Sequence, residues 1–339
     1  MAWSDSSAPH REIGSDPEEF DRNRPHHATL RVGRVEVARP ATYDIVIRNG
    51  RLVDGTGNAW SNADVGIVGD RIAAIGSLAE SSGSVLIDAT GMVVSPGFID
   101  IHTHVLAGLR AGDPIEGFLR DGVTTVIDGN DGNSAWPIGQ TLDELEAVHP
   151  SLNVGTFAGL SPIRKAVLDI RPGAASENEI ARLQDLVERA LREGAFGLTS
   201  GLEPMLYHWP GYFTTSADLA RMLAPVARAD ALYVSHIRDE AAGLMAAVRE
   251  TIDMARQAGV RTDITHVKAI GPANRGRAGE VVSAVARARS EGVDIAFDQF
   301  PYGDNGIDLT QLLPPWSFEA GRDRLLEQLG NSEKRRAIR

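Results

Sequence analysis

Residues 232–266 read LYVSHIRDEAAGLMAAVRETIDMARQAGVRTDITH and hold one complete structural repeat. Leu232-Tyr233-Val234-Ser235-His236 is short, mostly apolar and rich in strand-forming side chains, which predicts a buried strand. From Leu244 the apolar residues recur every three or four positions, predicting a helix over 244–258 that Gly259 terminates. A second buried strand is expected over 262–266. Two apolar strands joined by a covering helix are the sequence form of a parallel sheet.

The same grammar extends in both directions. Strands are predicted over 93–100, 124–128, 152–157, 195–199, 232–236, 262–266 and 294–297. Ser176-Glu177-Asn178-Glu179 is a capping box that opens a helix to Arg192, with Gly194 behind it. Thr215 opens a helix to about residue 229, and another over 280–290 closes at Gly292. Strand ends fall near 104, 131, 158, 200, 236, 266 and 298, a spacing of 27 to 42 residues. Right-handed crossovers would wind such units into a barrel or an open doubly wound sheet. No glycine-rich phosphate loop follows the first strand, and polar residues gather where the strands end. The expected fold is therefore α/β, a (β/α)8-type TIM barrel with about seven strands present. Upstream, alternation over 43–48 and hairpin patterns through 64–75 predict a small antiparallel, β-sandwich-like subdomain. The expected division is a disordered tail over 1–42 holding His10, His26 and His27, the β subdomain over 43–92, the barrel over 93–302 and a C-terminal segment over 303–339.

Composition narrows the function. The 339 residues carry a net charge of −12 and no cysteine, which excludes disulfides, thiolate nucleophiles and thiolate-bound metals. The acidic balance argues against a nucleic-acid partner, and no apolar run is long enough to span a membrane. Residues 1–25 lack the apolar core of a secretory signal, so a cytoplasmic protein is expected, with oligomerisation open.

The chemistry concentrates in histidine. His102 and His104 lie two apart at the end of the first predicted strand, so they should face one side. His236 and His266 close the fifth and sixth strands, one repeat apart. Four of the six histidines outside the tail thus converge on one face, a donor set suited to Zn²⁺ or a similar divalent ion. His149 and His208 stand in loop contexts and read as structural or solvated.

Pro96-Gly97-Phe98-Ile99-Asp100-Ile101-His102-Thr103-His104, following a small β unit, resembles the metal-dependent amidohydrolase superfamily. Residues 233–240 (YVSHIRDE), 264–268 (ITHVK), 298–302 (DQFPY), 197–202 (GLTSGL) and 312–316 (LLPPW) resemble, more narrowly, the N-acyl-D-amino-acid deacylases. That resemblance implies one or two divalent metal ions, zinc first, with His102 and His104 holding one and His236 and His266 the other. It implies a metal-activated water that cleaves the amide C–N bond of a small N-acylated D-amino acid. Lys268 is the first choice of cation for the substrate carboxylate, Arg238 the second, and Tyr302 a hydrogen-bond donor. Arg238 has a competing reading as an ion pair with Asp239 or Glu240, and Tyr302 as packing. The chain departs from the family at Asp131, where the deacylases usually carry cysteine; Asp131 is read as a metal ligand, with Asp128 as competitor. A hydantoinase- or dihydroorotase-like enzyme would instead use a carboxylated lysine on strand four, and residues 195–199 contain none. The family's eighth-strand aspartate has no counterpart, Asp298, Asp304 and Asp308 being poor substitutes, so no catalytic acid/base is assigned. A truncated or split gene product, or an inactive metal-binding fragment, is the alternative this implies.

Overall fold

The computed structural model describes residues 42–79, 81–304, 306 and 308–338. Of the tail expected over residues 1–42, residues 1–41 with the three histidines lie outside the described residues, and Thr42 is the first residue of a strand. The chain divides into two compact units, Met1–Ser95 and Pro96–Arg339.

The first unit contains β1 (Thr42–Arg48), β2 (Arg51–Leu52), β3 (Ser61–Asn62), β4 (Asp64–Val68), β5 (Arg71–Gly76), β6 (Ser82–Asp88) and β7 (Val93–Val94). They form one sheet in the order β5-β4-β1-β6 and another in the order β3-β2-β7. The hairpin expected through residues 64–75 forms as β4–β5, but the turn at Asn49-Gly50 makes no hairpin, since β1 and β2 enter different sheets. The unit is mixed rather than antiparallel, because β1 pairs parallel with β6 and β2 with β7. Tyr43, Val46 and Leu78 make its small core. The strand expected over 93–100 is two strands in separate units: Val93–Val94 pairs with Arg51–Leu52, and the ladder is interrupted over residues 95–97, where Pro96 has no N–H to give.

The second unit begins with β8 (Phe98–Asp100), then α1 (Leu106–Arg110), α2 (Glu116–Arg120), β9 (Val123–Asp128), α3 (Ile138–Val148), β10 (Asn153–Thr156), β11 (Ala158–Gly159) and α4 (Leu160–Leu168). It continues with α5 (Glu177–Arg192), β12 (Gly197–Gly201), α6 (Ser216–Met222), α7 (Ala224–Arg228), β13 (Leu232–His236), α8 (Leu244–Ala258), β14 (Arg261–Ile264), α9 (Ala278–Ser290) and β15 (Ile295–Phe297). Two helices close the chain, α10 (Arg322–Gly330) and α11 (Ser332–Ile338). The parallel strands run β8-β9-β10 in one sheet and β11-β12-β13-β14-β15 in the next. Phe157 alone separates β10 from β11; its N–H donates to Asp128 O (2.8 Å), and Phe196 N–H donates to Thr156 O (3.0 Å), so the neighbouring strands stay in sequence order.

Local signals explain most boundaries. Ser176 caps α5 with a complete capping box, and Gly259 closes α8 in the left-handed conformation. The helix expected from Thr215 to about residue 229 is instead α6 and α7, because Pro225 in the first turn of α7 cannot continue a helical ladder. The polar helix near the C-terminus starts at Arg322, after Gly321.

Helices and strands bury one large cluster, including Ile138, Leu160, Leu183, Leu198, Leu223 and Tyr233, and a second between α8, α9 and β14. A smaller cluster of Ile127, Phe157 and Val234 lies with Ile101 and Leu232. Polar residues follow at the C-terminal ends of the strands.

Candidate metal centre

Loops at those strand ends, with the last residue of β13, build the site. Asp100 Oδ1 accepts from His102 N (3.0 Å), and Thr103 N and Oγ1 both donate to Ile127 O, at 3.2 and 3.0 Å. The 101–104 segment is thereby laid across the end of β9. His102 and His104 are not on the strand itself, which ends at Asp100, but in this anchored loop. The next loop, 128–132, is equally fixed. Asn130 is fully buried and donates to Ile101 O (3.1 Å) and Ile127 O (3.0 Å), while Gly132 N donates to Thr199 Oγ1 (3.2 Å). Asp131 sits at its apex with φ of 55°. His236 is the last residue of β13. His266 lies two residues past β14, its N–H donating to the Asp298 carboxylate.

The structure gathers four imidazoles around one carboxylate. Asp131 Oδ2 lies 3.5 Å from His102 Nε2 and 3.2 Å from His104 Nε2. Asp131 Oδ1 lies 3.4 Å from His236 Nδ1 and 3.2 Å from His266 Nε2. Each oxygen therefore serves one histidine pair.

The outward nitrogens face a second ring of residues. His236 Nε2 is 3.1 Å from Glu203 Oε2, His266 Nδ1 is 3.0 Å from Glu240 Oε1, His102 Nδ1 is 3.5 Å from Asp298 Oδ2, and His104 Nδ1 is 3.4 Å from the Tyr207 hydroxyl. Glu203 and Tyr207 carry no local signal that distinguishes them from surface residues, and Glu240, expected as a partner of Arg238, faces His266 and Lys268 instead. His208, expected in a solvated or structural loop, is buried with its ring 4.3 Å from that of His236, and burial pushes its pKa down to about 3.

The substrate-binding candidates fare differently. Lys268 borders the same cavity of about 420 Å³ as the histidines, its ammonium 2.7 Å from Glu240 and 2.9 Å from His266 Nδ1. Arg238 points elsewhere: it makes a bidentate pair with Glu250 of α8 and donates to Tyr212 O and Thr214 O, so neither substrate contact nor pairing with Asp239 or Glu240 describes it. Tyr302 is 74% exposed and stacks on Phe300, which also borders the cavity. Asp128, the competitor to Asp131, is spent on the backbone, accepting from Leu106 N and Gly129 N.

The donor set fits a divalent cation. His236 Nδ1 is buried, has no hydrogen-bond partner and faces Asp131. Ligand trios form from His102, His104 and Asp131, and from Asp131, His236 and His266. Imidazole and carboxylate donors with no thiolate suit zinc and harder divalent ions. Burial opposes charge on His102 and His236, but Asp131 with Asp298, and Asp131 with Glu203, outweigh it and raise them to about 10 and about 9. Burial likewise opposes charge on Asp131, yet the four imidazoles hold it well below the usual carboxylate range.

Histidines raised above their ordinary 6.5 stabilise the metal-free fold fully below that pH, and the contribution disappears as pH rises through about 9 to 10. Chelator-treated protein should lose several degrees of Tm between pH 6.5 and 10, and saturating zinc should remove most of that loss. Thermal unfolding followed by circular dichroism at both pH values checks this; a flat metal-free profile contradicts it.

A parallel α/β array with four imidazoles and a carboxylate at its strand ends is a candidate metal centre of the kind the amidohydrolase resemblance implies. No family model matches the chain. It is 32% identical over 283 residues to D-aminoacylase of Alcaligenes xylosoxydans xylosoxydans, covering 77% of this chain and 57% of that protein. It is 34% identical over 281 residues to N-acyl-D-glutamate deacylase of the same organism, covering 76% and 57%. Among solved structures, N-acyl-D-glutamate deacylase from Bordetella bronchiseptica, complexed with zinc and a phosphonate inhibitor, superposes with a TM-score of 0.69 at 32% identity, covering 77% of this chain and 59% of the other. L-hydantoinase from Arthrobacter aurescens shares the fold alone, at 18% identity and a TM-score of 0.53, covering 76% and 58%. The chain is a homologue of the D-aminoacylases and N-acyl-D-glutamate deacylases, within the amidohydrolase superfamily, and spans about 57% of the length of these curated relatives. No helix among the described residues is long and apolar enough to cross a membrane.

Proposed function

We propose that this chain carries the metal centre of a hydrolase that cleaves the amide C–N bond of N-acylated D-amino acids. The observation that carries the proposal is the division of the Asp131 carboxylate, one oxygen toward each histidine pair. His102 and His104 would hold one divalent ion, His236 and His266 a second, and Asp131 would contribute to both. A bound divalent ion supplies Lewis acidity, stabilising charge at a carbonyl oxygen and lowering the pKa of water. The sequential parallel order β8 to β15, with only Phe157 between β10 and β11, supports reading the array as part of a (β/α)8 barrel, whose chemistry lies at the C-terminal strand ends.

The chain's own residues supply binding and orientation. Lys268, 12% exposed at its side chain, presents a cation beside the histidines to a substrate carboxylate, and Glu240 holds its ammonium in place. Phe300 under the Lys268 ammonium, 5.7 Å away, and the stacked Tyr302 extend that wall. Glu240 is buried, and the surrounding cations hold it ionised against burial, at about 2, so the Lys268 pair persists at neutral pH. β12 reads Gly197-Leu198-Thr199-Ser200-Gly201 and offers no lysine for carboxylation, which disfavours a hydantoinase-type centre.

Zinc-loaded protein should release amine from N-acetyl-D-amino acids and not from their L counterparts. Chelation should abolish the release, as should His236→Ala. A zinc-loaded chain with no turnover on either enantiomer, alongside an active longer homologue, would leave the reading of an inactive metal-binding fragment.

A further inference from the structure

We infer that Glu203 is a positioning residue that fixes the tautomer and direction of His236, an inference that rests on the metal reading above. The residue follows β12 by two positions and comes to His236 from a different strand. Its carboxylate Oε2 lies 3.1 Å from His236 Nε2, with side-chain exposures of only 13% and 7%. The contact is built from several directions. Leu202 N donates to His236 O (3.1 Å), tying the Glu203 loop to the β13 backbone. The Glu203 carbonyl faces His208 Nδ1 at 2.9 Å, and the His208 ring packs edgewise against His236. His236 is thus clamped on its outer side by one residue's side chain and by a ring held through that residue's backbone.

The consequence lies on the inner side. A neutral imidazole has one N–H and one lone pair. An ionised carboxylate can only accept, so Glu203 selects the tautomer protonated at Nε2. The lone pair then belongs to Nδ1, the buried nitrogen that has no hydrogen-bond partner and faces Asp131 Oδ1. Glu203 thereby turns His236 into a ligand aimed at the centre, and its negative charge raises the basicity of that nitrogen. Glu203 also forms a trio of metal-competent groups with His236 and Glu240, so a direct ligand role is the rival assignment. The two roles separate on stoichiometry.

The test compares wild-type protein with Glu203→Ala, Glu203→Gln and Glu203→Asp. Zinc affinity is measured by competition with a chromophoric chelator, bound zinc by elemental analysis, and fold by thermal unfolding in chelator. Glu203→Ala should weaken zinc binding about 10- to 100-fold at unchanged stoichiometry. Glu203→Gln should stay within about fivefold of wild type, because its amide oxygen still accepts from Nε2–H. Should Glu203→Ala not fold, Glu203→Asp, which withdraws the acceptor by one methylene, should lose about tenfold. Wild-type affinity in both Glu203→Ala and Glu203→Asp overturns the inference and leaves the metal reading intact. A drop of one zinc per chain in a folded variant also overturns it, by making Glu203 a ligand. Wild-type protein that takes up no zinc removes the metal reading and this inference together.

Discussion

If the proposed metal centre is right, Asp131→Ala is expected to abolish zinc binding by the chain. Asp131 is the common neighbour of all four imidazoles, at 3.2 to 3.5 Å, and its loop is fixed by buried hydrogen bonds through Asn130 and Gly132. Truncation leaves Glu203, Glu240 and Asp298 on the outward nitrogens but removes the carboxylate the inward nitrogens share, so none remains to be divided between two cations. Removing a ligand should exceed the effect of removing a residue behind one, so zinc affinity should fall by more than about 10²-fold, and amide hydrolysis with it. Asp131→Asn sharpens the result. Its amide keeps one oxygen, so one histidine pair retains an acceptor while the other meets an N–H₂ group. Isothermal titration with zinc should then show the loss concentrated in one binding event. Two undiminished events in Asp131→Asn would show that the carboxylate is a bystander.

Gly197→Ala should be the most damaging small substitution for the second unit. A Cβ at Gly197 would stand 1.8 Å from the Leu232 carbonyl oxygen, a backbone atom with no side-chain torsion to relieve the overlap. Gly197 pairs with Leu232 in the β12–β13 ladder, so relief requires the strands carrying Glu203 and His236 to move apart. Overpacking of this kind costs about 3 kcal/mol, a fall in Tm of roughly 10 °C for a unit of this size. Gly279→Ala is the control, since an exposed position in α9 with open space around it should gain about 0.5–1 kcal/mol. Equal Tm values for the two variants would contradict the packing argument.

Much of the second unit was legible from short-range pattern. The strand expected over 232–236 and the helix over 244–258 have those bounds in the structure, because each is defined by its own apolar periodicity and a local stop. The strand over 93–100 misled for a related reason: its residues are apolar on both sides of Pro96, and periodicity does not register that the two halves pair in different units. Arg238 misled because acidic neighbours in sequence, Asp239 and Glu240, looked like its partners. Its partner is Glu250, twelve residues on, reached from α8. Glu203, Glu240 and Asp298 are invisible as partners of histidines because each contact crosses between elements.

By itself, then, the amino-acid order determined the repeating strand–helix rhythm, and with it the fact that the four histidines lie at or just beyond the C-terminal ends of their strands, His236 on the last residue of its strand and His102, His104 and His266 in the loops that follow. Those are local properties: periodicity, caps, and a residue's place relative to a strand's end. Only the tertiary structure decided that Asp131 divides its two oxygens between the histidine pairs, that Glu203 stands behind His236, and that Lys268 rather than Arg238 faces the cavity. Such pairings depend on inter-strand register and on the path of each loop over its neighbour. A shift of one residue turns a side chain from one face of a sheet to the other, so they are fixed by packing among distant segments and not by any one of them.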